Sequence, residues 1–182
     1  MSRRQALAAT SLATLAALAI LVAGCGGGGK QSTPPPPPTE QAVKGAGFTY
    51  VAPVGWKVFP TANGVNASGP GSRLLSVAVY KLVKRYNETK FVAAARELDG
   101  VAARLAQGRK GTVTARATVT VAGRRARSYA IAYTLGADKL TQQVTFVLRG
   151  TTEWLLVCRR ATADPDAPCA KLLSSFTLAA AR

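Results

Sequence analysis

The chain has 182 residues, of which 48% are hydrophobic, and it carries 24 Lys and Arg residues against 8 Asp and Glu residues. The resulting net charge of +16 points to anionic partners or surfaces. No histidine is present, which excludes Ser-His-Asp and Cys-His catalytic arrangements.

Residues 1–24 have the pattern of a secretory signal. Two arginines precede an uncharged run rich in Ala and Leu, and small residues lead up to Cys25. The segment Leu21-Val22-Ala23-Gly24-Cys25 resembles a bacterial lipobox. The resemblance implies cleavage before Cys25 and attachment of lipid to its thiol. The expected location is the outer face of the cytoplasmic membrane, with the lipidated Cys25 as the membrane contact.

Two alternatives concern this first segment. An uncleaved transmembrane helix over residues 6–23 would reach only about 27 Å, which is marginal for a hydrocarbon core of roughly 30 Å. Glycines follow the run, rather than the Lys and Arg residues that stop transfer. The start Ser2-Arg3-Arg4 also resembles a twin-arginine export signal. Because Ala6 stands where that motif usually carries a large apolar residue, the general secretion route is favoured.

Residues 25–46 form a predicted tether that cannot build a core. The glycines at 26–29 give a flexible joint, and the prolines at 34–38 favour a stiff polyproline II segment. The interpretation is a spacer between the membrane and a folded domain. A proline-rich docking ligand for a partner domain is the alternative.

The folded domain is predicted to occupy residues 47–182, and it begins with strands. Residues 48–51 and 53–58 have extended character, whereas the stretch 63–71 is rich in Gly, Asn and Pro, which predicts a turn region. Residues 73–85 carry apolar side chains on both faces. That pattern predicts a strand inside the sheet and covered on both sides.

A long helix is predicted over residues 89–107. Its apolar residues recur at helical spacing and form one stripe: Phe91, Ala94, Ala95, Leu98, Ala102 and Leu105. Asn87 or Thr89 can cap its start, and Gly108 can end it. Gly100 is a weak point, costing up to about 1 kcal/mol relative to alanine.

Four strands then form a predicted antiparallel meander. They cover residues 112–121, 125–135, 140–149 and 153–160, with turns near Gly123, Gly136 and Gly150. Strict alternation in the first of them places Val113, Ala115, Ala117, Val119 and Val121 inward. A final helix over residues 164–175, capped by Asp164, leads to a short closing segment at 176–178.

The opening motif of the domain and the order of its elements resemble a known fold. The motif is Phe-x-Tyr-x-x-Pro-x-Gly-Trp, formed by Phe48, Tyr50, Pro53, Gly55 and Trp56. With the strand, long helix, meander and final helix, it resembles the PsbP-like fold of the photosystem extrinsic subunit and of actinobacterial lipoproteins of the LpqN type. The resemblance implies an α+β fold, an antiparallel sheet flanked by helices. It also implies binding or accessory roles rather than a catalytic motif.

With Cys25 assigned to lipid, Cys158 and Cys169 remain as a pair in an oxidising compartment. A disulfide between them would join the last helix to the sheet and contribute about 3 kcal/mol. The alternatives are a redox pair and a metal site. Metal is disfavoured because two cysteines without histidine make an incomplete ligand set. No cofactor is expected.

Basic side chains form three clusters in the sequence: Lys81, Lys84 and Arg85; Arg124, Arg125 and Arg127; and Arg159 and Arg160. These clusters are candidate binding sites for an anionic lipid, a phosphate-rich wall polymer or an acidic partner in the envelope. Export argues against nucleic acid. The alternative is a solvated basic surface that keeps the protein soluble.

The function expected from the sequence is a membrane-anchored, non-catalytic accessory or docking module of the cell envelope. The alternative is a binding module for a lipid or an anionic envelope ligand, with a pocket rimmed by arginines. An enzyme would need convergent polar side chains in a cleft. The acidic residues of the sequence lie mostly at predicted caps, turns and helix surfaces, so the chain is not expected to be an enzyme.

Overall fold

A computed structural model describes residues 38–179, which form an α+β arrangement of two antiparallel sheets and two α-helices. This agrees with the predicted fold class. The predicted signal segment, the lipobox with Cys25, and the tether as far as residue 37 lie outside the described residues.

The smaller sheet has three strands in the order β1-β2-β9, formed by Glu40–Gly45, Phe48–Pro53 and Thr177–Leu178. Strand β1 corrects the predicted tether, because residues 40–45 belong to the domain. Val43 is 1% exposed and pairs with Tyr50. The amide of Gln41 donates to the carbonyls of Pro53 and Trp56, at 2.9 and 2.8 Å. Strand pairing holds this polar segment, which composition alone assigned to the tether.

The larger sheet has the order β3-β4-β5-β8-β7-β6. Its strands are β3 (Lys57–Thr61), β4 (Gly64–Ser68), β5 (Leu74–Tyr86), β6 (Thr112–Val121), β7 (Arg124–Leu135) and β8 (Asp138–Ala161). The prediction of a turn region at 63–71 was wrong in part, because β4 lies there. Val65 and Ala67 alternate inward from β4 and are buried.

Strand β8 is a run of 24 extended residues that reverses direction at Gly150. A straight strand of that length would span about 80 Å, yet the Thr162 amide donates to the Lys139 carbonyl at 2.8 Å. Gly150 has φ +59°, a conformation that glycine adopts without strain. The first half of β8 pairs with β7 and the second half with β5. The reversal agrees with the predicted turn at this position.

Two ends of the larger sheet can be distinguished from these registers. Tyr86 pairs with Gly150, and Arg127 pairs with Phe146, so the end of β5, the start of β7 and the reversal of β8 lie together. We call this the Gly150 end. The opposite end, the Asp138 end, holds Asp138, the start of β5 and the residues around Arg159.

The helices differ from the prediction mainly at their starts. A 3-10 turn at Glu88–Lys90 precedes α1 (Phe91–Gly108), and α2 spans Ala167–Ser175. None of the proposed side-chain caps forms. Asp164 instead accepts a 2.9 Å hydrogen bond from Nε of Arg73. Helix α2 begins three residues later than predicted, and the Asp164 carboxylate binds Arg73, just before β5, instead of capping the helix.

Each face of the larger sheet carries its own hydrophobic core. The small sheet and α2 cover one face, where the buried side chains include Tyr50, Leu75, Leu156, Leu172 and Phe176. Helix α1 covers the other face, where they include Phe91, Leu98, Tyr129, Ile131 and Val144. The expected inward face of β6 was wrong over its middle, since Ala115 and Ala117 are exposed on this edge strand.

The predicted pairing of Cys158 and Cys169 is present as a disulfide, with 5.4 Å between the two Cα atoms. Cys158 lies in β8 and Cys169 in α2, and both are buried in the core beneath the small sheet. The bond therefore fastens the last helix to the larger sheet, as expected.

Candidate functional site

Three chain segments meet at the Gly150 end and enclose an open cleft of about 800 Å³, which we call the basic cleft. The first segment joins β5 to α1, the second is the start of β7, and the third is the reversal of β8. The residues that line it are Arg85, Tyr86, Asn87, Glu88, Arg124, Arg149, Gly150, Thr151, Thr152 and Trp154. Three arginines against one glutamate make this cleft electropositive.

The three arginines of the cleft differ in their exposure and in their polar contacts. Arg85 is exposed, and the Arg124 side chain is 32% exposed with its Nη1 atom 3.5 Å from Oε1 of Glu88. Arg149 is half-buried, and its Nη1 atom lies 3.5 Å from the carbonyl of Ala179. Within residues 38–179 no carboxylate forms an ion pair with Arg85 or Arg149. Arg124 is therefore the cleft arginine whose charge is already paired in this range.

Glu88 organises one wall of the basic cleft. Besides Arg124, it also binds Arg125, whose Nη2 donates to the Glu88 carbonyl at 2.8 Å. The Arg125 guanidinium lies 4.5 Å from the centre of the Phe91 ring. The Tyr86 hydroxyl donates to Oε2 of Glu88 at 3.2 Å. Burial and the neighbouring Glu88 carboxylate raise the pKa of Tyr86, so this phenol stays a donor at neutral pH.

Trp154 lines the inner part of the cleft, and its side chain is 8% exposed. Its indole Nε1 is a buried donor that has no hydrogen-bond acceptor among the described residues. Buried donors are rarely left unpaired, because the missing bond costs about 1–3 kcal/mol. Trp154 belongs to the hydrophobic core on the small-sheet face, so this donor lies in the packed interior behind the cleft.

The structure brings together only part of the predicted basic clusters. Arg85 and Arg124 share the cleft, and Lys81 and Lys84 lie exposed on the neighbouring stretch of β5. Arg127 turns away, because both its Nε and Nη2 donate to Oδ1 of Asp99 on α1, at 3.1 and 3.0 Å.

Arg159 and Arg160 lie at the Asp138 end and do not join the cleft. Arg159 donates through Nε to the Ser72 carbonyl at 2.8 Å. Arg160 donates to the backbone carbonyls of Ala161, at the end of β8, and of Thr162 and Asp164 beyond it. Its Nε also donates to Oδ1 of Asp166 at 3.2 Å. Arg159 therefore contacts the segment before β5, and Arg160 contacts the segment that leads into α2.

Arg149 is the cleft residue that sequence reasoning missed. It stands alone in the sequence, without a basic neighbour, so it falls in none of the clusters. The register of the predicted hairpin could have identified it. In that register the residue before Gly150 lies beside the start of β7, where Arg124 stands.

Two further cavities are candidates for the predicted ligand pocket. A more enclosed cavity of about 60 Å³ lies beside the disulfide and is lined by Trp56, Arg73, Arg159 and Pro168, among others. Pockets for small molecules usually measure about 300–1,000 Å³, so an acyl chain does not fit there. A groove of about 330 Å³ between α1 and β6 contains Asp99 and Tyr129, which bond each other.

Metal binding and membrane crossing find no support in the part of the chain that the structure describes. Residues 38–179 contain no group of three or more His, Cys, Asp or Glu side chains that could hold a metal ion. No helix in the same range is long and apolar enough to cross a membrane.

Comparison with known proteins rests on structure, because no family matches the sequence and no curated protein matches it. The solution structure of cyanobacterial PsbP (CyanoP) from Synechocystis sp. PCC 6803 is similar at a TM-score of 0.55 and 14% identity. The match covers 77% of this chain and 92% of that one.

Two crystal structures give similar matches. LpqN, involved in cell envelope biogenesis of Mycobacterium tuberculosis, is similar at a TM-score of 0.50 and 11% identity, over 78% of this chain and 91% of that one. A protein from Bacteroides thetaiotaomicron is similar at a TM-score of 0.54 and 9% identity, over 73% of this chain. This chain spans 45% of the length of that protein. The folded part of the chain is therefore a domain with the PsbP-like fold, of the type found in CyanoP and LpqN.

Proposed function

We propose that the protein is a lipid-anchored extracytoplasmic module of the cell envelope that docks onto a partner protein and carries out no catalysis itself. The anchor rests on the lipobox pattern that ends at Cys25. The likeness to LpqN, a protein involved in cell envelope biogenesis, supports the placement in the envelope.

The observation that carries the docking role is a set of apolar side chains exposed where β5 meets α1. Val83 is 100% exposed, Val92 is 61% exposed and Tyr80 is 42% exposed. The end of β5 lies against the first turns of α1, since Leu82 and Ala93 line one groove. We call this surface the β5–α1 corner. Large apolar side chains exposed beside polar ones are common at protein interaction sites.

The rim of the β5–α1 corner is basic. Lys81, Lys84 and Lys90 are all exposed, and each stands within two residues of one of these apolar residues in the sequence. Complementary charge steers partners and excludes those of the same sign. The partner that fits this corner is therefore a protein with an acidic surface around an apolar centre.

The absence of catalysis is supported by how the acidic groups are used. Five of the eight acidic residues each form an ion pair with Lys or Arg: Glu40, Glu88, Asp99, Asp164 and Asp166. Glu153, whose pKa is raised by burial, lies opposite Tyr80 in the sheet. A general base needs a poised pKa and a nucleophile within hydrogen-bond reach. The chain also has no histidine to serve as one.

The anchor is tested by mass spectrometry of the protein released from its own membrane in mild detergent. The proposal predicts a mature mass that begins at a lipid-modified Cys25. The variant C25S should carry no lipid. A mass that still contains residues 1–24 would contradict the lipobox assignment.

The docking role is tested by placing a photo-crosslinking amino acid at position 83 in cells. Leu135 provides the matched control, because it is also an exposed apolar residue, at 57%, but lies at the Asp138 end. We expect a discrete protein adduct from position 83, no such adduct from position 135, and a weaker one when K81E and K84E are added. Equal labelling from both positions, or none from either, would overturn the proposal.

A further inference from the structure

We propose that the basic cleft at the Gly150 end is a binding site for a phosphate monoester group. The site goes beyond the docking role, because it uses residues other than those of the β5–α1 corner. Its charged members are Arg85, Arg124 and Arg149, which come from three separate segments of the chain. The presence of three arginines from separate segments around one open cleft is the observation that carries the proposal.

The charge of the cleft fits a dianion. Three arginines face one carboxylate, that of Glu88. A phosphate monoester carries about −1.5 to −2 charges at pH 7, whereas a carboxylate carries one. The planar guanidinium group also matches phosphate oxygens with two parallel hydrogen bonds. A phosphate group therefore balances this cleft better than a carboxylate does.

The cleft is arranged before any ligand is bound. Glu88 holds Arg124 at 3.5 Å, and Arg125 is fixed by the Glu88 carbonyl and the Phe91 ring. Arg149 is half-buried beside the Ala179 carbonyl, with no acidic partner in residues 38–179. Partial burial of an unpaired charge is unfavourable unless an opposite charge arrives. A bound phosphate would supply that charge.

Uncharged donors complete the site. Thr151 and Thr152 follow Gly150 in the reversal of β8, and both line the cleft. Their hydroxyl groups can donate to phosphate oxygens without adding charge. The indole Nε1 of Trp154 is buried and therefore out of reach of a ligand in the open cleft, so Trp154 serves as a reporter of binding and not as a contact.

Phosphate of this kind can come from a free phosphate ester or from a phospholipid headgroup, and the test separates the two sources. The full chain in non-ionic detergent is titrated with glycerol 3-phosphate and with inorganic phosphate by calorimetry at constant ionic strength. After removal of the detergent it is also reconstituted into phosphatidylcholine vesicles with and without phosphatidic acid, where binding is read from Trp154 fluorescence, because the anchor itself gives membrane association in both. Trp154 fluorescence, recorded in a W56F background, reports whether the ligand reaches the cleft.

Phosphate binding is compared between two triple variants that each lose three positive charges. R85Q, R124Q and R149Q together remove the charges of the cleft. R96Q, R104Q and K110Q together remove three exposed charges from α1 and its end, away from the cleft. Circular dichroism and thermal unfolding establish that each variant is folded. If the first triple variant does not fold, R149Q alone is compared with R104Q alone.

We expect the cleft variant to lose phosphate binding by about tenfold or more, with the α1 variant unchanged. Binding of glycerol 3-phosphate without vesicles would identify a free ester, and binding of phosphatidic acid vesicles alone would identify a headgroup. Equal loss in both triple variants, or binding without any change in Trp154 fluorescence, would overturn the proposal. No binding to any probe would also overturn it. An intact crosslink from position 83 in the cleft variant would show that the docking proposal stands separately.

Discussion

Tyr129 donates a 2.6 Å hydrogen bond to Oδ1 of Asp99 and so joins the centre of β7 to the centre of α1. Burial, and then the bond to Asp99, raise the pKa of Tyr129 to about 12, so the phenol remains a donor at neutral pH. Arg127 donates twice to the same oxygen. One carboxylate therefore holds the helix to the sheet and keeps an arginine out of the basic cleft.

The substitution D99N removes the charge at this junction and leaves a single amide oxygen as acceptor. We expect it to lower the free energy of unfolding by about 1–2 kcal/mol, the range for charge-assisted bonds discounted for partial exposure. Denaturant unfolding measures the loss. A double-mutant cycle with Y129F should give a coupling energy of at least about 0.5 kcal/mol. Additive effects of the two changes would contradict the role of this bond.

The same carboxylate predicts a dependence of stability on pH. The bond from Tyr129 and the interactions with Arg127 lower the pKa of Asp99 below its ordinary value of 3.8. The stabilisation is therefore present above pH 3.8 and is lost as the pH falls through the folded-state pKa. The difference in unfolding free energy between wild type and D99N should shrink in that acid range. A difference that stays constant there would contradict the assignment.

Glu153 predicts the opposite dependence of stability on pH. It lies across from Tyr80 in the register of β5 and β8, and burial raises the pKa of its carboxyl above 4.5. Stability should therefore fall as the pH rises from 4.5 through the folded-state pKa. The substitution E153Q should stabilise the domain at pH 7 by less than about 1 kcal/mol, because water still reaches the carboxylate. Thermal unfolding at pH 7 and pH 4 tests this, since the gain should disappear at the lower pH.

The disulfide predicts a large loss when both cysteines are replaced. The bond closes a loop of 11 residues between β8 and α2. Closing a loop of that length contributes about 3 kcal/mol in the chain-entropy model. The variant C158A/C169A should lose about 2–4 kcal/mol, measured by denaturant unfolding. A reductant should lower the midpoint of the wild type and leave that of the variant unchanged, and an equal response of the two proteins would contradict the prediction.

Local patterns in the sequence predicted the long helix, the extent of strand β5, strand β7 and the reversal at Gly150 well, because each depends on short-range periodicity or on one turn residue. They failed where tertiary pairing decides the outcome. The expectation that β5 is covered on both sides was wrong over its second half, where Tyr80 and Val83 are exposed because β4 pairs only as far as Ala78. Strand β4 contains Gly64 and Asn66, which read as turn residues, but its amides pair with β5. The alternation in β6 is regular, yet the strand lies at an edge of the sheet, where its middle is not covered.

The basic cleft was predictable only in part for a similar reason. Clusters in the sequence identify residues that are neighbours along the chain, and Arg124 and Arg127 are such neighbours. In the structure one faces Glu88 and the other faces Asp99. Arg149 joins the cleft through the register of two strands, which a cluster count does not contain. Spatial convergence depends on register, and register depends on the whole sheet.

Replacement by alanine should have opposite effects on stability at two glycines, Gly100 and Gly64. Gly100 lies within α1, and an added Cβ would meet only Nη1 of Arg104, at 3.7 Å. Because glycine disfavours a helix interior, G100A should raise stability by about 0.5–1 kcal/mol, or about 2–3 °C in the melting temperature.

Gly64 lies in β4, where an added Cβ would overlap the backbone carbonyl of Val77 in β5. Because backbone atoms of a paired strand cannot move aside alone, G64A should lower stability by about 1–3 kcal/mol. Thermal unfolding of both variants against wild type tests the two glycines together. A loss in G100A would contradict the helix assignment at that position, and an unchanged G64A would contradict the close approach of β4 to β5.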